Sequence, residues 1–170
     1  MIWLRMKATI TASLLALFCL GASWAQKPSD TNDAASAGIK QSLRDWSSAY
    51  NRHDPHGCGQ GFVEDADMVS LAGLDFHGRK AIEDHYGRTF STTLANAHRT
   101  DTVKSIRFLS PEIASVDDAF EITGSTSKTP GDHSVLPPRK GILQLIYVKQ
   151  NGQWLVAVSH ETEYDATPKP

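Results

Sequence analysis

The sequence predicts an α+β domain in which helices pack inside a strongly curled antiparallel sheet. Two amphipathic helical stripes stand in its first half, a series of period-two segments fills its second half, and Asn151-Gly152 joins the last two of these. A sheet that follows two helices in this order must curl around them to bury both apolar stripes, which leaves a cone-shaped pocket.

The chain opens with Arg5 and Lys7 ahead of an apolar run from Ala8 to Leu20, too short to span a bilayer as a stable helix. Ser23 and Ala25 supply the small-x-small pattern that a signal peptidase accepts. Residues 1–25 are therefore expected to be a cleaved signal peptide, which places the protein in the periplasm or outside the cell. Phe18 before Cys19 is too bulky for a lipoprotein box, so no lipid anchor is expected. About 145 of the 170 residues remain, enough for one core. The formal net charge of −2 falls to −4 when Arg5 and Lys7 leave. Without a basic run, nucleic acid is not an expected partner, nor is a membrane once the signal is gone. Cys58 is left as the single cysteine, so the mature chain cannot close an internal disulfide.

Residues 26–36 are small and polar and read as a mobile leader, the domain running over 37–165 with a short tail at 166–170. Ile39, Leu43, Trp46 and Tyr50 form one stripe of a first helix, which Pro55 stops near His53. Gly57, Gly59 and Gly61 suggest an irregular turn, and Ala66 to Leu71 a short strand, with another at Asp75 to His77. Ile82, Tyr86, Phe90 and Leu94 repeat every fourth residue in a second long helix. Strands are then expected over about 100–109, 112–123, 139–149 and 153–164. Between the middle pair, Gly124 to Pro138 is polar and carries Pro130, Pro137 and Pro138, an exposed loop.

From Ile39 to Glu163 the chain resembles the SnoaL-like proteins of the nuclear transport factor 2-like, or cystatin-like, superfamily, closest to the SgcJ/EcaC group. The resemblance rests on Trp46, Tyr50-Asn51, Phe62, Asp65-Ala66-Asp67, His77-Gly78-Arg79 with Ile82, Arg139, Gly141, Asn151-Gly152-Gln153-Trp154, His160 and Thr162. It implies the cone-shaped fold and a homodimer, but no single reaction, because that superfamily includes isomerases, cyclases, dehydratases and plain binding or oligomerisation modules. The steroid isomerases it resembles use a helix tyrosine and a strand aspartate. Trp46 and Ser70 stand at those positions here, and neither can do that proton transfer.

Strand parity nominates the candidate site. Trp154, Val156, Val158 and His160 share one face of the last strand, and Val116, Asp118, Phe120 and Ile122 one face of an earlier one. Asp118 and His160 are the polar exceptions, a candidate catalytic pair for proton transfer. Arg139 shares a face with Gly141, Leu143 and Leu145 and suits a ligand carboxylate, while Trp46 and Tyr50 offer flat apolar walls. Met68 and His77 complete the expected ligand-binding set. His53, Asp54, His56 and Cys58 crowd together without a common zinc spacing, so neither a metal site nor another cofactor is expected.

The leading expectation is an exported domain holding a small apolar or carboxylated molecule in its cone. A proton-transfer enzyme of the cyclase, isomerase or dehydratase type, using Asp118 and His160, is the alternative, and a dimerisation module without ligand the third. For the dimer, Leu155, Ala157, Ile142 and Ile146 alternate with the inward residues and provide an outer face.

Overall fold

A computed structural model describes residues 28–164, with side chains from Asn32 onward. The expected signal peptide and the tail at 166–170 lie outside the described residues. The elements, in chain order, are α1 (Pro28–Asn51), α2 (Pro55–Gln60), β1 (Phe62–Val69), β2 (Asp75–His77), α3 (Arg79–Phe90), β3 (His98–Ser110), β4 (Ile113–Thr123), β5 (Arg139–Gln150) and β6 (Gln153–Glu163). α1 begins at Pro28, within the stretch expected to be a leader.

The six strands form one sheet in the order β2-β1-β6-β5-β4-β3. This corrects the expectation of a strongly curled, wholly antiparallel sheet and of a cone inside it. The sheet is mixed, because β1 runs parallel to β6, and it is open, because β2 and β3 are its two edges. Chain direction explains the parallel pair: after α3 the chain meanders through four strands, and the last arrives beside β1 pointing the same way. No pairing joins β2 to β3, so among the described residues nothing closes the sheet into a barrel-like wall.

The helices lie on one face of this sheet. Ile39, Leu43, Trp46 and Tyr50 of α1 and Ile82, Tyr86 and Phe90 of α3 are buried against the alternating residues Ala114, Val116, Phe120 and Ile122 of β4 and Leu143, Leu145 and Tyr147 of β5. The turn between β5 and β6 follows the sequence, with φ of 51° at Asn151 and 83° at Gly152, the pair of positive values a tight hairpin needs.

The expected glycine-rich turn after α1 is instead the helix α2. Asp54 caps it by accepting from the Gly57 N–H at 2.9 Å, and Pro55 occupies its first turn. Its glycines serve contact rather than turning. A Cβ on Gly59 would stand 2.2 Å from Cγ of Glu83, so α2 can lie against α3 only without a side chain there.

Candidate functional site

The site grows from the start of β3, where alternation turns Arg99 and Asp101 inward. Arg99 is 1 % exposed. Its Nε donates to Asp101 at 2.8 Å and its Nη1 to Glu161 at 2.5 Å, and the Ser47 hydroxyl donates to the other Asp101 oxygen at 2.6 Å. Aromatic rings enclose the guanidinium: its carbon lies 4.3 Å from the Phe120 ring centre, 4.8 Å from Trp46 and 5.7 Å from Tyr50. Burial opposes the charge, but Glu161 and Asp101 more than offset it and hold Arg99 protonated well beyond its ordinary range.

Nη2 of Arg99 is buried and has no partner among the described residues, and neither has the Tyr50 hydroxyl. Both side chains line a cleft of about 70 Å³. Its walls come from Ser70 to Ala72 after β1, from His85, Tyr86 and Thr89 on α3, from Ile122, and from Arg139, Lys128 and Glu161. Desolvation pushes the Tyr50 phenol upward, so it stays a neutral donor. Burial lowers His85, so its imidazole is neutral at pH 7. Two residues of the cleft wall thus each carry a dry donor without a partner among the described residues, one charged and one neutral.

Beside this group stands Asp118, fully buried on β4 and facing Asp101. No backbone or side-chain donor reaches either of its oxygens among the described residues. Burial, and then the Asp101 charge, push its carboxyl up to about 8, so that at pH 7 it keeps a proton to share with Asp101.

His160 does not join it. Opposite Ile146 and Tyr147 the register of β6 jumps from Val158 to Val156, leaving Ala157 as an extra residue. Trp154 and Val156 face the core before this bulge and Ser159 after it, while Val158 and His160 turn outward. Glu161, on the inward parity beyond the bulge, reaches Arg99 in the place parity had given to His160. A bulge shifts every later side chain to the opposite face, and no residue type announces it in the sequence.

The other expected residues divide. Tyr50 and Arg139 line the cleft, but Arg139 is held by Glu163 through Nε at 3.1 Å and Nη2 at 2.6 Å. Trp46 lies behind the cleft against Arg99, and Met68 behind Tyr86, whose hydroxyl donates to its sulfur at 3.6 Å. His77 is exposed on β2, paired with Asp67 at 2.6 Å and away from the cleft. In the cluster of His53, Asp54, His56 and Cys58, the His53 ring stands edge-on to Phe90 with its buried Nε2 unpartnered among the described residues, and the other three groups are otherwise engaged. Asp54 caps α2, His56 pairs with Glu83 at 3.2 Å, and burial pushes the Cys58 thiol up to about 12, where it is inert. Sequence reasoning missed Arg99, Asp101 and Glu161. The i, i+2 spacing of Arg99 and Asp101 at the start of a strand was the available signal, since it puts both charges on one face.

Comparison with solved structures gives a distant relationship to the cystatin-like and nuclear transport factor 2-like folds. An uncharacterised protein with a cystatin-like fold from Caulobacter vibrioides aligns with a TM-score of 0.70 at 19% identity, over 78% of this chain and 92% of that one. A putative scytalone dehydratase from Novosphingobium aromaticivorans aligns at 0.67 and 20% identity, over 83% and 93%. A putative calcium/calmodulin dependent protein kinase II association domain from Xanthomonas campestris aligns at 0.64 and 16% identity, over 96% and 100%. These likenesses concern the fold alone, and their descriptions run from enzyme to assembly module. No protein-family model matches the chain. No curated protein matches it either.

Proposed function

We propose that the chain is an exported binding domain of SnoaL-like type, near the SgcJ/EcaC group, which holds a small and mostly apolar molecule in the cleft at Arg99. The two unpartnered buried donors, Nη2 of Arg99 and the Tyr50 hydroxyl, carry this reading. A dry donor left unpaired costs about 1–3 kcal/mol, a cost that an acceptor atom of a bound molecule removes. Leu71, Leu94 and Ile122 provide apolar contact for the rest of that molecule.

The proton-transfer alternative loses support from the separation of Asp118 and His160, and Asp118 does not line the cleft. We further propose that two copies associate through the outer face of the sheet. Val158, 42 % exposed, pairs in register with Ile146, and Ile142 and Leu155 extend the same apolar band. A mature chain starting at Gln26, in the periplasm or the medium, belongs to this reading and is checked by N-terminal sequencing of exported protein.

The functional test is extraction of the purified protein followed by mass spectrometry of what it carries. Ala72 is exposed at the cleft mouth, so Ala72→Trp should block entry without disturbing the core. A small molecule recovered at near-stoichiometric yield from the wild type and several-fold less from Ala72→Trp is the expected result. Equal recovery from both proteins would refute the assignment.

A further inference from the structure

We propose that the cleft at Arg99 selects a neutral oxygen acceptor, a ketone or amide carbonyl on an apolar molecule, and discriminates against a carboxylate. This inference rests on the binding reading above and names the ligand class it takes. Of the two classes expected from the sequence, apolar and carboxylated, it retains only the first.

The geometry around the guanidinium leads to it. Arg99 already has two carboxylates in hydrogen-bonding contact, Asp101 at 2.8 Å and Glu161 at 2.5 Å. Their side chains are 5 % and 12 % exposed, so solvent screens neither charge well. One buried cation with two buried anions leaves this trio with a charge of −1 before any ligand arrives. The rim does not restore the balance, because Arg139 is committed to Glu163 and Lys128 is exposed to solvent.

The protein has run the same experiment on itself. Asp118 is a third carboxyl on the same inner face, and it retains its proton instead of ionising beside Asp101. A ligand carboxylate placed at Nη2 would meet that same negative surplus. It would have to bring a proton or strip one of the existing anions from Arg99. A carbonyl oxygen accepts from Nη2 and from the Tyr50 hydroxyl without adding charge, and leaves both existing ion pairs in place. A volume of about 70 Å³ takes the oxygen-bearing end of a molecule and a few carbon atoms, with the remainder over Leu71 and Leu94 at the mouth.

Acetophenone and benzoate share a ring and a carbonyl and differ in a methyl group against an anionic oxygen, so they separate charge from shape. Both are titrated into the purified chain at pH 7.5 and followed by NMR through the Trp46 indole and the backbone amides of Ser70 and Leu71. Acetophenone is expected to shift these signals and to bind about tenfold or more tightly than benzoate. In Glu161→Gln, which removes one anion, the preference for acetophenone over benzoate should fall about tenfold. Benzoate binding as tightly as acetophenone in the wild type would overturn the selectivity and leave the cleft as a binding site. Binding of neither probe, with the cleft signals unmoved, would overturn both this inference and the binding reading on which it rests.

Discussion

A carboxyl group left with its own proton as the only donor among the described residues, as at Asp118, ties the stability of the chain to pH. Its value in the folded state is raised to about 8 from an ordinary 3.8, so between those limits the folded protein holds a proton that the unfolded chain releases. The stabilisation is complete below about pH 4 and is lost as pH rises through about 8. Asp118→Asn keeps the shape and carries no charge. In urea melts its stability relative to the wild type should rise by about 4 kcal/mol between pH 4.5 and pH 8.5. A constant difference across that range would mean that Asp118 is already ionised in the fold. His160→Phe, on the outward parity of β6, should shift stability by only about 0.5 kcal/mol and without a pH trend.

At the scale of elements, the bulge at Ala157 and the short helix α2 determine how far the sequence could be read. β4 and β5 were legible because their apolar residues alternate without interruption, and Asn151-Gly152 because only a tight turn needs that pair. α2 was not, since Gly57 and Gly59 are poor helix formers and resemble turn residues; contact with Asp54 and Glu83 is what demands them. Of the cleft, Tyr50 and Arg139 were legible. Glu161 was hidden by the bulge, and Arg99 by the rule that charged residues face water. Two variants test these assignments. Asp54→Ala removes the cap of α2 and should cost about 1 kcal/mol in thermal melts. Exchanging the two residues, as His160→Glu combined with Glu161→His, puts the carboxylate on the outward parity and takes it away from Arg99. The loss should be on the order of 3 kcal/mol or more, because a buried guanidinium loses a partner. An exchanged variant that melts like the wild type would show that β6 tolerates either register.

For the whole molecule, the outer sheet face carries an apolar band that a second copy could cover. Ile142, Ile146, Leu155 and Val158 lie on neighbouring positions of β5 and β6. Val158→Lys should leave the fold intact and convert a dimer into a monomer, as read by light scattering at high micromolar concentration. A monomeric wild type at that concentration would end the proposal. The sheet edges are protected in other ways. β2 is only three residues long, and β3 carries Lys104 and Arg107 on exposed positions, which discourages edge-to-edge pairing.

The parallel pairing of β1 with β6 also sets the order in which the chain can become a protein. β1 leaves the ribosome early, yet apart from the short β2 its only sheet neighbour among the described residues is the last strand, β6. Until that strand arrives, the N-terminal segments and the β3–β5 meander have no sheet contact between them. Such long-range closure makes folding slow and late. A chain that cannot fold before its synthesis ends remains threadable throughout, which is the state a translocation channel accepts. Truncation after Gln150 should therefore abolish cooperative unfolding of the entire domain, rather than merely trim one strand from it.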